Sequence, residues 1–117
     1  MYKRQTVDTS ILTSVANDYS YDVVFSRQVE GLGQEGDVLW GITTSGNSGN
    51  VIKAVEAAKK KGLKTIVSSG KDGGAIRGMA DISLVIPSDV TARIQEMHML
   101  CAHLICEIID EESWGNE

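Results

Sequence analysis

Apolar residues follow two spacings along the middle of the chain, and these spacings predict strands and helices in alternation. Short apolar runs at 37–43, 63–68 and 82–86 predict three buried strands. Between the first two, apolar residues recur at helical spacing over 48–61, with lysines in the last turn and Gly62 as the stop. Strand–helix–strand order with short connections indicates parallel strands and a layered α/β fold.

The remaining apolar pattern predicts further helices, over 10–17 and 21–31, a short one over 75–79, and a long closing helix from 90 to about 112. A small parallel sheet needs cover on both faces, so we expect the closing helix and Trp40 to contribute to a subunit interface. The apolar stripe of that helix consists of Ile94, Met97, Cys101, Leu104 and Ile108.

Composition and charge exclude several classes of protein. A length of 117 residues favours one domain, and 11 Lys+Arg against 16 Asp+Glu give a net charge of −5. An acidic chain argues against a nucleic-acid or anionic-membrane partner. The sequence has neither an apolar run of about 18 residues nor the apolar core of a signal peptide, so we expect a soluble cytoplasmic protein. Cys101 and Cys106 are predicted to be buried, reduced thiols.

The segment 41–50 (GITTSGNSGN) is the strongest candidate for chemistry, because it follows a buried strand and opens a helix. Glycines at 46 and 49 let backbone N–H groups approach an anion at the helix N-terminus. The segment lacks the lysine of the nucleotide P-loop and the dinucleotide glycine spacing, which favours a sugar monophosphate. The alternative is a Ser/Gly-rich turn with an ordinary N-cap at Ser48 or Asn47, although the strand's carboxyl end favours a ligand site. The segment offers hydroxyl donors on Thr43, Thr44, Ser45 and Ser48.

Several motifs occur in the order typical of one known family. They are TSGNSGN at 44–50, KGLKTIV at 61–67, KDGG at 71–74 and ARIQE at 92–96, followed by His98 and His103. On these motifs, and over the stretch from about Val7 to about Asp110, the chain resembles the phosphoheptose isomerase family, a branch of the sugar isomerase (SIS) domain proteins.

The resemblance implies a three-layer, SIS-type (flavodoxin-like) parallel sheet flanked by helices. It also implies an aldose–ketose isomerase that interconverts sedoheptulose 7-phosphate and D-glycero-D-manno-heptose 7-phosphate, on the route to ADP-heptose and the lipopolysaccharide core. Members of the family are cytoplasmic homotetramers with active sites between subunits, and several hold zinc.

Site residues also follow from the resemblance. Gln95 and His103 match the family's metal-binding pair, His103 is also a catalytic acid/base, and Asp18 matches an acidic catalytic residue near the substrate. The sugar phosphate would be held by Thr43, Thr44, Ser45 and Ser48. Independently, an enediol reaction needs an acid/base group with a near-neutral pKa, which histidine supplies, and a metal can stabilise the oxyanion. Gln95 and His103 are spaced to lie along one side of the closing helix, whereas His98 lies on a different face.

The chain departs from the family pattern at its start. Members carry a further long helix, a first strand, an Asn-Gly-Gly-Ser loop and a helix whose His and Glu complete the metal set, whereas the match here begins near Val7. Residues 1–5 also equal the translation, from a GTG start, of a transposon-end adapter used in sequencing libraries. We therefore expect residues 1–5 to be an adapter-derived artefact and 6–117 to be a partial SIS domain that is inactive alone.

Two alternatives stay open. One is a non-catalytic SIS adaptor resembling the protein that associates with the replication initiator DnaA, which shares the run at 92–100. That adaptor type lacks a histidine at the position of His103 and interrupts the pattern seen at 44–48, so both features favour the isomerase. The other is a phosphosugar-binding module of a regulator, which would carry a DNA-binding segment as well.

Overall fold

A computed structural model describes residues 5–115, so most of the predicted foreign pentapeptide lies outside the described residues. The predicted element order is confirmed. Two segments differ in detail, because 21–31 opens with a 3₁₀ turn (Tyr21–Val23) and the short helix near 75–79 is itself a 3₁₀ turn (Ala75–Gly78). The helices and strands are α1 (Thr9–Asp18), α2 (Val24–Leu32), β1 (Val38–Ile42), α3 (Gly49–Lys60), β2 (Lys64–Gly70), β3 (Ile82–Ile86) and α4 (Thr91–Trp114).

The three strands form one parallel sheet in the order β1–β2–β3. Val38 lies opposite Lys64, and Ile66 lies opposite Ile82. Parallel neighbours require a crossover between them, and α3 supplies it between β1 and β2. The α/β fold class, a parallel sheet flanked by helices, is therefore confirmed.

A hydrogen-bonded clamp joins the start of β2 to the residue before β3. The backbone N–H and the Oγ1 hydroxyl of Thr65 both donate to Asp81 Oδ2 at 2.8 Å, and Asp81 N–H donates to Thr65 Oγ1 at 3.0 Å. Because these donors favour the ionised carboxylate, they hold the pKa of Asp81 below its ordinary value of 3.8. The clamp fixes how β3 enters the sheet.

The core lies between the sheet and the helices α2 and α3. Val67 of β2 is fully buried against Val51 and Val55 of α3 and against Ile76 of the second 3₁₀ turn. Gly41 of β1 leaves room for α3, since a β-carbon there would lie 3.0 Å from Val51 Cγ1. A second cluster joins α2 to α3 and consists of Val29, Ala54, Ala57, Ala58 and Leu63.

The opposite face of the sheet, called the open face below, is apolar and is largely left uncovered by residues 5–115. Side chains alternate along a strand, so the residues on either side of the core-facing Leu39 and Gly41 point to this face. Val38, Ile42 and Ile82 remain 59%, 53% and 53% exposed. Trp40 is half-buried here, where its Nε1–H donates to Ser68 Oγ at 2.8 Å.

The closing helix α4 is anchored by its first turns only. Ile94 and His98 are its buried residues among those described. The predicted stripe is therefore only partly confirmed, because Met97, Leu104 and Ile108 are exposed. The prediction of buried thiols was wrong, since Cys101 is half-buried and Cys106 is exposed on the part of α4 beyond His98. Among residues 5–115, no helix is both long enough and apolar enough to cross a bilayer.

Candidate active site

The β1–α3 loop, residues 43–48, runs from the carboxyl end of β1 to the first turn of α3. Thr43 N–H donates to the Ser68 carbonyl at 2.9 Å and so extends the strand pairing by one residue. The Thr43 side chain is buried, and its Oγ1 lies 2.8 Å from Ser48 Oγ. These two hydroxyls close the loop on itself and hold Ser48 beside the start of α3.

The N-terminus of α3 has no side-chain cap from either candidate residue. Ser48 occupies the N-cap position, yet its side chain makes no capping hydrogen bond. Asn47 donates instead to the Ser45 carbonyl at 3.2 Å and accepts from Ala75 N–H at 2.9 Å. Val51 N–H already donates to Asn50 Oδ1 at 2.8 Å, whereas the N–H groups of Gly49 and Asn50 have no hydrogen-bond partner among the described residues. Two such N–H groups at the positive end of the helix dipole are an arrangement that binds phosphate. The alternative of a Ser/Gly-rich turn predicts an ordinary N-cap at Ser48 or Asn47, and neither side chain caps the helix. The geometry therefore favours a phosphate-binding site.

Thr44 and Ser45, the other two predicted phosphate ligands, are half-buried in the middle of the same loop. Ser45 Oγ accepts a hydrogen bond from Asn47 N–H at 3.1 Å. A hydroxyl that accepts one bond still has its own hydrogen to donate. The fold therefore brings the four predicted hydroxyl residues into one loop at the carboxyl end of the sheet, which is where open parallel sheets bind ligands.

The segment that follows β2, residues 71–76, packs against the β1–α3 loop. Gly46 has φ +71°, and a β-carbon there would overlap the Gly73 carbonyl. A β-carbon at Gly74 would lie 2.6 Å from the Ser45 carbonyl oxygen. Ile76 N–H also donates to the Gly46 carbonyl at 3.0 Å. In the KDGG motif at 71–74, the glycine pair is the sequence signal of this contact, because it lets two backbones touch.

The start of α4 approaches the same end of the sheet. A β-carbon at Gly70, the last residue of β2, would overlap Ile94 of α4 and lie 2.7 Å from the Thr44 carbonyl. Gln95, next along the helix, is exposed. His103 is also exposed, eight positions later, which is about 12 Å of helix rise. The structure thus brings Gln95 to the loop's end of the sheet, whereas no hydrogen bond or ion pair joins His103 to the loop among the described residues.

Asp18 stands apart from this arrangement. It is the last residue of α1, it is exposed, and its Oδ1 accepts from Asn17 Nδ2 at 2.9 Å. Within residues 5–115, no hydrogen bond or ion pair links Asp18 to the β1–α3 loop or to α4. Its predicted place near the substrate therefore stays a prediction.

Zinc can be tested against the side chains present. A zinc site takes about four ligands. Among residues 5–115, no group of three or more His, Cys, Asp or Glu side chains is placed to hold a metal ion. The described residues alone do not fit a complete zinc site, so the predicted pair of Gln95 and His103 would need ligands from elsewhere.

His98 is buried against β2, whereas Gln95 and His103 are exposed, in keeping with the prediction that His98 faces away from them. His98 Nε2 lies 3.0 Å from the Ser69 carbonyl, a contact that was not predicted. The sequence signal was its spacing of four residues from Ile94, the first residue of the apolar stripe.

Comparison with known proteins places this geometry in a family. A model of the SIS domain matches residues 2–70. The phosphoheptose isomerase of Sulfurimonas denitrificans is 58% identical over 111 residues, which cover 95% of this chain and 57% of that protein. This chain therefore spans less than two thirds of that relative.

Solved structures agree. The phosphoheptose isomerase from Neisseria gonorrhoeae superimposes with a TM-score of 0.89 at 52% identity, over 91% of this chain and 60% of the other. The phosphoheptose isomerase from Francisella tularensis gives the same TM-score at 44% identity, over 92% and 58% of the two chains. The chain therefore belongs to the SIS domain family and, as its motifs predicted, is similar to the phosphoheptose isomerases within it.

Proposed function

We propose that this chain forms part of a phosphoheptose isomerase, which interconverts sedoheptulose 7-phosphate and D-glycero-D-manno-heptose 7-phosphate. The observation that carries the proposal is the uncapped start of α3, framed by serine and threonine hydroxyls, in a chain 58% identical to a protein of that name. Neutral donors at a helix start suit a phosphomonoester and need no bridging cation.

In the proposed reaction, the β1–α3 loop holds the 7-phosphate. The N–H groups of Gly49 and Asn50 and the hydroxyls of Thr44, Ser45 and Ser48 donate to its oxygens, and Thr43 keeps Ser48 in place. Anchoring the phosphate fixes the far end of the sugar, so its first two carbons lie at a defined distance from the loop. Binding energy at this remote group then orients the reacting carbons.

The proton transfer is assigned to His103. Converting the ketose to the aldose removes a proton from C1, forms an enediol, and returns a proton to C2 while one proton moves from O1 to O2. A neutral histidine can accept and return such a proton near pH 7. Asp18 is proposed to lie near the sugar hydroxyls. His103 lies beyond the anchored turns of α4, so we propose that it serves a site shared between copies of the chain.

The remaining parts of the proposal come from the resemblance to the family. These are a homotetramer, a cytoplasmic location, and zinc held in part by Gln95 and His103. The adaptor alternative predicts phosphosugar binding without turnover, and the names of the relatives do not favour it.

The test uses a full-length chimera in which residues 6–117 replace the matching region of the Sulfurimonas denitrificans protein. We expect it to convert sedoheptulose 7-phosphate to the aldose phosphate, and His103→Ala to lower kcat about 10²-fold or more, the size of a general acid/base effect. Glu107→Ala, an exposed change one turn further along α4, is the matched control and should leave kcat within about twofold. A chimera that binds the sugar phosphate without converting it would support the adaptor instead.

A further inference from the structure

His98 is a buried titratable side chain that the proposed reaction does not use. It is 4% exposed, and its Nε2 lies 3.0 Å from the backbone carbonyl oxygen of Ser69. A carbonyl oxygen only accepts hydrogen bonds, so Nε2 carries the hydrogen and donates it. The contact fixes the orientation of the imidazole ring and ties α4 to the backbone of β2.

The strand end that His98 holds also touches the β1–α3 loop. Ser69 precedes Gly70, which is wedged between Ile94 of α4 and the carbonyl of Thr44. Two contacts therefore link α4 to the β1–α3 loop: His98 bonds to Ser69, and the next residue, Gly70, packs on the backbone of Thr44. A shift of α4 at these contacts would change where Gln95 stands relative to Thr44.

Two buried polar atoms at this contact have no hydrogen-bond partner among the described residues: His98 Nδ1 and Ser69 Oγ. Buried polar atoms are almost always paired, because leaving one unpaired costs free energy. An apolar side chain of similar size at position 98 would fill the space without that cost. Packing alone therefore does not explain a histidine at this position. The specific interaction that it makes among the described residues is the hydrogen bond to the Ser69 carbonyl.

We propose that His98 is a positioning residue, whose Nε2–H bond to the Ser69 carbonyl sets α4, with Gln95 and His103, at a fixed distance from the phosphate-binding loop. This inference rests on the proposed function, since only there does His103 transfer a proton and Gln95 help to hold a metal. It assigns His98 no contact with the sugar. Its effect is on the alignment of the reacting end with the anchored phosphate.

The test compares His98→Gln with His98→Met in the same full-length chimera. Gln and Met are unbranched and nearly equal in length, but only Gln offers an N–H donor to Ser69. We expect His98→Met to lower kcat about tenfold while KM changes less than about threefold, and His98→Gln to keep kcat within about threefold of the parent. A role in packing alone would lower stability and leave kcat equal in the two variants.

A second measurement does not depend on turnover. In the chimera, ¹⁵N NMR should find His98 protonated at Nε2 and unprotonated at Nδ1 when neutral, and residual dipolar couplings of the α4 amides should report the helix orientation. We expect His98→Met, but not His98→Gln, to reorient α4.

The outcomes separate the two proposals. If the parent chimera does not turn over sedoheptulose 7-phosphate, the proposed function fails, and the couplings alone decide whether His98 positions α4. Equal kcat values or equal α4 couplings in the Gln and Met variants would overturn the positioning role.

Discussion

Gly46 lies where the β1–α3 loop packs against the backbone of Gly73 and Gly74. Its φ of +71° is a left-handed conformation that costs a non-glycine residue about 1–2 kcal/mol, and an added β-carbon would also overlap the Gly73 carbonyl. We expect Gly46→Ala to lower the free energy of unfolding by at least that amount and to weaken phosphate binding. Urea unfolding and phosphate titration of the full-length chimera measure the two effects.

Gly49→Ala is the control for this change, because Gly49 opens α3 and a β-carbon there would meet nothing within 4 Å. Its unfolding free energy should stay within about 0.5 kcal/mol of the parent. Similar losses from the two substitutions would show that the close approach of Gly46 to Gly73 does not matter for stability.

The sequence indicated which residues of the site carry hydroxyl or imidazole groups, but it did not indicate which groups they would hydrogen-bond to. The sequence indicated that Ser48 stands beside the start of a helix, but a serine there can cap the helix or leave it open. The choice depends on Thr43, whose hydroxyl reaches Ser48 only after the strand and loop have formed. His98 shows the same limit, because its bond to Ser69 joins residues 29 positions apart.

At the scale of elements, the Asp81–Thr65 clamp links the stability of the β2–β3 pair to pH. The pKa of Asp81 is lowered in the folded state, so the ionised carboxylate stabilises the fold above the ordinary value of 3.8, and this contribution is lost as pH falls through the folded pKa. Asp81→Asn does not titrate. We therefore expect the parent's advantage over Asp81→Asn, measured by urea unfolding, to be present at about pH 6 and to shrink towards pH 3.

The matched control for removing a charge is Asp89→Asn, which changes an exposed aspartate with no hydrogen bond to its side chain in the described part of the chain. An advantage of the parent over Asp81→Asn that is the same at both pH values would show that Thr65 does not favour the ionised form of Asp81.

The exposed apolar side chains of α4 lead to a prediction about assembly. Leu104 is 48% exposed on the part of the helix that extends beyond its buried anchors, with Leu100 and Ile108 one turn to either side. A row of this kind indicates contact with another copy of the chain. We expect Leu104→Glu to lower the assembled mass of the chimera in light scattering, while Leu32→Glu, at a leucine 50% exposed on α2, leaves it unchanged. Unchanged mass in both would place the interface elsewhere.

Most elements were predictable because their apolar spacing is regular and their ends carry clear signals. The strand at 82–86 has the predicted bounds, and the closing helix begins one residue and ends two residues later than expected. The apolar spacing does not indicate which surface packs against each apolar face. On α4 the stripe exists, but Ile94 alone of its members is buried by residues 5–115, and the spacing of the stripe does not indicate what covers the others.

At the scale of the whole molecule, the open face of the sheet predicts how the chain behaves by itself. Parallel sheets are stable when both faces are covered, and here Val38, Ile42 and Ile82 are more than half exposed. We expect residues 6–117 alone to bind a hydrophobic dye such as anilinonaphthalene sulfonate, to self-associate, and to lack isomerase activity. The full-length chimera should show the opposite on all three counts. Comparable activity from the short chain would contradict the reading of 6–117 as a partial domain.

The fold class was predictable from the order of strands and helices, and the family from its motifs. The extent of the site was not, because Gln95 and His103 are both exposed on α4 and their spacing does not indicate what lies opposite them. The spacing of residues on a helix indicates the side on which each side chain lies. It does not indicate whether that side faces a site in the same chain or in another copy.

The close approach of Gly46 to residues 73 and 74 has a consequence for anyone redesigning this protein to accept a different sugar phosphate. Two backbones that touch without intervening side chains leave no space for an inserted residue in either segment. Libraries should therefore keep the length of both segments and vary the side chains of Thr44 and Ser45. The side chains that face the ligand can be changed one at a time, whereas the two backbone segments that meet at Gly46 have to be kept together.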